Sequence, residues 1–348
     1  MIKKNNLKNL IVPIFALFLA LLVSALIMLL SGYNPITAYA VIFKGALGSK
    51  TGICNSLVQA TPLIFTGLAF MVAKKATLIN LGVEGQLYVG ALVGALVGTV
   101  DFHVPFIIHI LLVMISGMIA GGLAGLFIGW LKVRFGSNEV ITTMMTNFII
   151  INFTSYLVTY PLKAEGPTAQ SERMLPTALL PKLFAKTQLT WGIIIVVVIA
   201  ILIKIFIDKT KMGYEIKAVG HNKRAAQTAG IKVGHVILFS MFLSGAIAGL
   251  GGAVQVMSVN RRFIAGFSAD YGFGGISVAA LANDSALGII ISGFIFGLLR
   301  NGAKYLNMTS RIPTEFVSVV QALVVLFVAA PLMIEKILNI FKKKKEIK

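Results

Sequence analysis

Long apolar stretches, separated by short polar breaks, run along the whole chain. Each stretch is about 20 residues long, the length that a helix needs to cross a hydrocarbon layer about 30 Å thick. The pattern therefore predicts an all-α polytopic membrane protein. Ten membrane-spanning helices are predicted, at residues 10–30, 56–73, 78–100, 105–131, 139–161, 190–207, 236–257, 266–282, 286–303 and 315–335.

Basic residues fill the polar breaks and indicate an orientation. Ten crossings put the N- and C-termini on one side of the membrane, and the cytoplasm is the predicted side. With this choice 19 basic residues lie inside and 11 lie outside, Arg300 and Lys304 among the latter. Cytoplasmic segments carry an excess of lysine and arginine, so the bias favours this orientation.

Composition supports a membrane protein and argues against a nucleic-acid partner. Hydrophobic residues make up 57% of the 348 positions and charged residues only 12%, whereas a soluble domain has about a quarter charged residues. The net charge of +19 comes from cations in breaks between apolar stretches rather than on one folded surface. We therefore expect membrane lipid around the chain and no nucleic acid.

The sequence offers little for metal binding or catalysis. Cys54 is the single cysteine, and the four histidines have spacings that fit no metal-ligand pattern. The phosphate-binding pattern GxxxxGK[ST] is absent from the sequence, so the chain is not predicted to hydrolyse ATP itself. We expect no enzyme activity, no metal and no cofactor on this chain.

Three segments of the first half recur in the same order in the second half. An odd number of predicted spans separates the copies, so each copy crosses the membrane in the opposite direction, as in the inverted repeats of transporters. We divide the chain accordingly into residues 1–55, 56–161, 162–235 and 236–348. The matching segments are 90–98 with 275–283, 124–136 with 292–304, and 137–153 with 312–328.

A polar, glycine-containing break precedes each copy: "NLGVEGQ" at 80–86 and "SADYGFGG" at 268–275. The apolar stretch after the first break, 87–100, corresponds to about 21 Å of helix, too short to span unaided. Either the polar residues lie inside the membrane or the helix is broken there. Backbone opened at membrane depth must line a cavity or be buried in protein, and paired short segments indicate a substrate pathway.

Several polar residues are candidates for this pathway. The alternative for each is a hydrogen bond that holds two helices together. Glu84 also leaves open an ion-coupled secondary transporter, in which its carboxylate would bind a proton or cation, and a structural scaffold without transport is a further alternative. The pathway candidates are Asn80, Glu84, Gln86, Asn147, Asp270 and Gln321.

The predicted inner loop, residues 208–235, contains a second candidate region. Asn222 is suited to begin a two-turn helix and Gly230 to end it. We predict bends at Gly213 and Gly220. The small side chains of Ala225 and Ala226 would let another protein approach closely, so that the short helix could transmit motion to the membrane helices.

Three motifs resemble one known family: "NLGVEGQ", "ADYGFGGISVAALANDSALG" at 269–288 and "GYEIKAVGHNKRAAQTAGI" at 213–231. They are similar to permease subunits of bacterial ABC importers for branched-chain amino acids, ribose and nucleosides, and above all to nucleoside permeases that work with a lipoprotein receptor. The family's usual "LLGRNNPLG"-like turn is replaced by "ALANDSALG", where Asn283, Ser285 and Ala286 differ, which puts the shape of that turn in question.

The resemblance implies a function and a set of partners. The chain would be a ten-helix permease in the bacterial plasma membrane that imports a small polar solute, with nucleosides as the expected solute. It would pair with a second homologous permease or with itself. A cytoplasmic ATPase subunit that binds ATP would dock on residues 213–231, and an extracellular lipoprotein would deliver the solute.

Overall fold

The computed structural model describes residues 2–310, 312–313 and 315–329, with side chains from Phe15 onward except for a few positions in the first and last helices. These residues form α-helices, a 3₁₀-helical turn, a π-helical turn and connecting loops, without a β-strand. The helices are α1 (Ile2–Leu30), α2 (Pro35–Leu47), α3 (Lys50–Lys75), α4 (Val83–Val97), α5 (Phe106–Phe135), α6 (Glu139–Thr159), α7 (Gly192–Lys209), α8 (Lys211–His221), α9 (Lys223–Thr228), α10 (Val233–Gln255), α11 (Tyr271–Leu281), α12 (Ala286–Ser310) and α13 (Glu315–Ala329).

Helices α3 and α10 form the centre of the bundle. Most of their side chains are buried, and the two helices pack against each other. Helix α10 packs against α4 and α5, whereas α3 packs against α11 and α12. Helix α6 lies beside α4, and α13 lies beside α11. The four helices from α3 to α6 therefore have the same packing pattern as the four from α10 to α13: a central helix, a short helix and two further helices.

Two helices in this arrangement are too short to cross a bilayer. Helix α4 has 15 residues and α11 has 11 residues, which correspond to about 22 and 16 Å of length. The predicted spans 78–100 and 266–282 are therefore wrong as single crossings. Each is a half-length helix preceded by non-helical backbone, which agrees with the broken helix expected at "NLGVEGQ".

Five helices in the described part of the chain are long and apolar enough to cross a membrane: α3, α5, α6, α10 with its extension to Asn260, and α12. Ten complete crossings are thus not established. Helix α7 has 18 residues, but Lys204, Asp208 and Lys209 lie in its second half. The predicted span 315–335 is described only as far as Ala329, and the basic tail 336–348 lies outside the described residues.

Small residues allow α5 and α10 to approach closely. A methyl group on Gly249 would lie 2.9 Å from the Cα atom of Gly121, and one on Gly129 would lie 3.1 Å from the Cβ atom of Met241. Side chains at these positions would force the helices apart. The glycine pairs Gly117–Gly121 and Gly121–Gly125 are thus spaced to permit a tight helix crossing.

The connections differ from the predicted loops in two places. Residues 35–47, which lie between the first two predicted spans, form the helix α2. It is capped by Asn34, whose side chain accepts hydrogen bonds from Ile36 N and Thr37 N. Residues 256–260 continue α10 as a π-helical turn that ends at Arg261 in a left-handed conformation. The segment 160–191 is a folded loop, held to residue Gly98 by a hydrogen bond from Leu175 N.

Candidate functional site

The N-terminal ends of the two half-length helices meet. Glu84, in the first turn of α4, accepts a hydrogen bond through its carboxylate from the backbone N–H of Gly272, in the first turn of α11. A methyl group on Gly272 would lie 2.7 Å from the Cα atom of Glu84, so only glycine permits this contact. A carboxylate is favoured here because helix N-termini carry unpaired N–H groups and partial positive charge.

The junction lies deep in the bundle. The carbonyl oxygen of Tyr271 accepts a hydrogen bond of 2.8 Å from the hydroxyl of Thr66 in α3. Thr66 precedes the last residue of α3, Lys75, by nine positions, which corresponds to about 14 Å along the helix. From this depth α11 runs back toward the Lys74 end of α3, while α4 runs away from it and ends beside the loop at Met174.

Asn80 organises the chain just before α4. Its amide nitrogen donates to Gln86 Oε1 at 2.9 Å and to Ser244 Oγ at 2.9 Å, and its amide oxygen accepts from Gly82 N at 3.0 Å. Ser244 in turn donates to the carbonyl oxygen of Ala69 in α3. All of these groups are buried, so the network fixes the re-entry of the backbone between α3 and α10.

Helix α6 holds the first turn of α4 from the other side. The side chain of Asn147 accepts a hydrogen bond from Gly85 N, and the hydroxyl of Thr143 accepts one from Leu81 N at 3.2 Å. Both side chains are buried. Backbone N–H groups that would otherwise remain without partners at membrane depth are thereby satisfied.

A cavity of about 600 Å³ lies beside the junction, between α3, α11, α12 and α13. Its lining includes two acidic and two basic side chains, an amide, two hydroxyls and an aromatic ring. Ionisable groups inside a membrane domain are costly unless they face water or protein, and they mark transport pathways. The polar and aromatic lining residues are Gln59, Asp270, Phe273, Ser277, Arg300, Lys304, Glu315 and Ser318.

Arg300 joins the cavity to the helix junction. Its Nη2 donates to the carbonyl oxygen of Asp270 at 3.2 Å, and its guanidinium lies over the ring of Tyr271, 5.1 Å from the centroid. Asp270 itself has a left-handed backbone, with φ of 55°. The cation therefore sits where α11 begins, in contact with the same turn that binds Glu84.

The short helix predicted in the inner loop is present. The side chain of Asn222 accepts hydrogen bonds from Arg224 N at 3.0 Å and Ala225 N at 3.1 Å, which begins α9 at Lys223, and Gly230 follows its end with φ of 82°. Ala226 is buried, whereas Ala225 and the rest of the helix are exposed. Helix α9 thus presents most of its surface outward.

Gly213 and Gly220 do not form the predicted bends. Both lie inside α8, and the chain turns instead at Thr210 and Asn222, whose backbones are extended. The glycines serve close packing: the missing side chain of Gly213 leaves room for the backbone of Ile207, and that of Gly220 leaves room for the backbone of Lys75. Helix α8 consequently rests directly on the end of α3.

Two contacts join this end of the bundle. The hydroxyl of Thr77 donates to the carbonyl oxygen of Gly220, and Lys74 forms a 2.7 Å ion pair with Asp284 in the turn between α11 and α12. Asn283 and Asp284 both have positive φ, at 49° and 54°. The unusual turn "ALANDSALG" is therefore a left-handed pair of residues held by a lysine of α3.

The sequence-predicted residues separate into two groups. Asp270 lines the cavity, whereas Asn80, Glu84, Gln86 and Asn147 do not line it but are buried and bonded to protein groups. Gln321 belongs to α13, but its side chain lies outside the described residues.

Arg300 and Lys304 were not among the predicted pathway residues, yet both line the cavity. They do not lie in a break between helices, because α12 continues to Ser310 and includes both. One signal was available: an arginine and a lysine one turn apart on an otherwise apolar stretch are expected to face a cavity.

Comparison with known proteins identifies the family. Residues 52–329 match the family described as "Branched-chain amino acid transport system / permease component". The chain is 36% identical to the guanosine ABC transporter permease protein of Bacillus subtilis, over 98% of this chain and 99% of that protein. It is 35% identical to a nucleoside ABC transporter permease protein of Lactococcus lactis, over 96% and 94%. A glucose ABC transporter permease protein of Haloferax volcanii is 33% identical, over 90% and 86%.

These similarities settle the class of protein. ABC permeases are transport subunits, and ATP hydrolysis takes place on a separate subunit, with a substrate-binding protein as a further general partner. An ion-coupled secondary transporter that uses Glu84 finds no support among these relatives. The chain belongs to the branched-chain amino acid transport system permease family and is a multi-pass plasma-membrane permease subunit of an ABC transporter.

Proposed function

We propose that the chain imports nucleosides and that the cavity beside the Glu84–Gly272 junction is part of the route. Two relatives that match nearly the full chain are named for guanosine and for nucleosides. The cavity volume of about 600 Å³ lies in the range of small-molecule sites, about 300–1,000 Å³. Its aromatic, amide and hydroxyl groups suit a solute with a flat base and a polar sugar.

Glucose is the second candidate solute, because a relative of 33% identity is named for glucose. The aromatic ring of Phe273, which is 38% exposed and lines the cavity, favours a solute with a planar face. Two carboxylates and two cations line the same space, so their charges offset each other and favour a neutral solute over a phosphorylated one.

The proposed pathway has two parts: residues that face the solute, and buried residues that hold the surrounding helices in place. Asp270 belongs to the solute-facing side, and Asn80, Glu84, Gln86 and Asn147 hold the two half-length helices at the correct depth. Alternating access then requires two shapes of the permease that differ in which side of the junction is open, and the transport cycle shifts their populations.

An inverted repeat and cytoplasmic termini are part of this proposal. The matched packing of α3–α6 and α10–α13 around the centre supports a repeat of two oppositely directed halves, within the division into residues 1–55, 56–161, 162–235 and 236–348. Placing the Lys74 end in the cytoplasm agrees with the basic residues there and leads to ten crossings if the half-length helices are counted.

The partners follow from the same orientation. The ATPase subunit docks on the exposed surface of α9 and on α8. ATP binds to that subunit, and no cofactor is proposed on this chain. Of the residues singled out in the sequence, the exposed Asn222, Ala225 and Gly230 belong to the proposed docking surface. Gly213, Gly220 and Ala226 support it from the bundle side, where they pack against other helices or are buried. A second permease, either a homologue or another copy, completes the route, and an extracellular lipoprotein delivers the solute.

Uptake measurements test the proposal. Cells that lack this chain are compared with the same cells after its gene is restored, using labelled guanosine, uridine and glucose. We expect restored uptake of nucleosides, lost on ATP depletion but retained when the proton gradient is collapsed at constant ATP. If uptake is restored for glucose alone, the transported solute is the sugar and the nucleoside proposal is rejected. If uptake depends on the proton gradient instead of ATP, ATP-driven transport is rejected.

A further inference from the structure

We infer that Arg300 makes the permease selective for nucleosides whose base presents a carbonyl oxygen to the cavity, such as inosine, guanosine and uridine, over adenosine and cytidine. The inference rests on the proposed nucleoside transport and names the group that recognises the base. It depends on three features of Arg300: its fixed orientation, its unused hydrogen-bond donor and its place in the cavity lining.

The guanidinium of Arg300 is held in one orientation. Nη2 donates to the carbonyl oxygen of Asp270 at 3.2 Å, and the group lies over the ring of Tyr271 at 5.1 Å. Gly274 leaves the space that the guanidinium needs, because a methyl group there would lie 2.8 Å from Nη2. A planar cation fixed by a hydrogen bond, an aromatic ring and a glycine loses little entropy when it binds a flat partner.

One buried nitrogen of this group makes no hydrogen bond. Nη1 of Arg300 is buried and has no hydrogen-bond partner within residues 2–310 or the described part of α13. A buried charged donor without a partner is destabilising, so an oxygen that contacts it when the cavity lining moves aside during the transport cycle gains both charge and hydrogen-bond energy. The group cannot accept a hydrogen bond, since arginine in proteins is only a donor.

A donor-only group distinguishes the nucleobases. Guanine and hypoxanthine present two adjacent acceptors, O6 and N7, which match the fork of a guanidinium. Adenine presents an amino group in place of O6, and two donors then face each other. Uracil and cytosine differ in the same way at position 4. Phe273, which lines the same cavity, offers a ring for stacking that is equally available to every base.

The test compares initial uptake rates of inosine and adenosine in cells that contain the complete importer with wild-type chain, Arg300→Gln or Arg300→Lys. The lipoprotein receptor is the same in all strains, so its preference cancels when the inosine-to-adenosine ratio of a variant is divided by that of wild type. We expect this ratio to fall about tenfold in Arg300→Gln, because an amide can both donate and accept, and to fall in Arg300→Lys, which keeps the charge but loses the fork.

Lys304→Gln is the matched control, because it removes a cation from the same cavity one turn along α12. Its absolute uptake rate is free to change, but its base ratio should equal that of wild type. A wild-type ratio in Arg300→Gln with measurable uptake overturns the inference. A wild type that takes up neither nucleoside rejects the proposed function instead, so the two failures are distinct.

If both Arg300 variants fail to reach the membrane, the inference is tested with the wild-type importer alone. Inosine is compared with purine riboside, which lacks the 6-oxygen, each at a concentration that saturates the isolated receptor. Faster uptake of inosine under receptor saturation supports recognition of the oxygen by the permease. Equal rates overturn it.

Discussion

Thr77 and Gly220 lie 143 positions apart in the chain, yet the Thr77 hydroxyl donates a 2.5 Å hydrogen bond to the Gly220 carbonyl oxygen. The bond joins the last turn of α8 to the segment that re-enters the bundle before α4. Thr77 precedes Val83, where α4 begins, by only six positions. A displacement of α8 therefore has a short covalent route to the junction at Glu84.

Removing this hydrogen bond should weaken the coupling between ATP hydrolysis and transport. In Thr77→Val we expect solute uptake to fall about fivefold, as for the loss of roughly 1 kcal/mol, while ATP hydrolysis by the complex changes little. Thr142→Val is the control, because the exposed Thr142 hydroxyl bonds only to Asn138 at the start of the same helix. Equal loss of uptake in both variants would reject the route through Thr77.

Changes at Glu84 should separate hydrogen bonding from charge. Glu84→Gln keeps an oxygen that can accept from Gly272 N, so we expect near-normal amounts of folded permease and retained uptake. Glu84→Ala leaves that buried N–H without its partner, at a cost of about 1–3 kcal/mol. The thermal unfolding temperature of the purified complex in detergent measures the difference. A complete loss of uptake in Glu84→Gln, with normal unfolding temperature, would instead indicate that the charge itself is required.

The start of α9 should matter for the docking of the ATPase. Asn222→Ala removes the acceptor for Arg224 N and Ala225 N and should cost about 1 kcal/mol of helix stability, whereas Asn222→Asp keeps the acceptor. We expect co-purification of the ATPase subunit to decrease in the alanine variant and to be retained in the aspartate variant.

Asn152→Ala controls for the loss of an exposed asparagine, because Asn152 bonds only within α6. Undiminished co-purification in Asn222→Ala would argue that the ATPase docks elsewhere.

The Lys74–Asp284 ion pair should tolerate exchange of its partners. Lys74→Asp and Asp284→Lys each place like charges together, and each should lower uptake. In wild type the two charged groups lie 2.7 Å apart. The double variant again places opposite charges at these two positions and should recover much of the lost uptake. Lys74 is 47% exposed and Asp284 19%, so the effect on stability should be small. Losses that simply add in the double variant would show that the pair does not act as a unit.

Local signals in the sequence were sufficient for several features. The cap at Asn222 and the end at Gly230 depend on side chains two or three residues away, and the tight crossing at Gly121 depends on one residue type at helical spacing. The break before α4 was visible as polar residues in an apolar run. Each of these features is decided by neighbours in the sequence.

Features that depend on distant residues could not be predicted in the same way. Helix α8 was divided by presumed bends, because the sequence does not reveal that Gly220 packs against the backbone of Lys75. The role of Arg300 depends on Asp270 and Tyr271, which are contributed by α11. From the length of the apolar stretches alone, α4 and α11 were each predicted to be a full crossing. In the structure each is a half-length helix, and the two meet at their N-terminal ends.

The head-to-head contact of α4 and α11 also constrains how the protein is made. Glu84 is synthesised 188 residues before its partner Gly272, and until then its carboxylate has no backbone N–H of α11 to bind. We expect nascent chains that stop before residue 260 to leave α4 outside the hydrocarbon layer, where a water-soluble thiol reagent would label a cysteine placed at Val83. Protection of that cysteine should appear only after α11 has been made. The insertion of α4, from the first half of the chain, would thus depend on the synthesis of the second half.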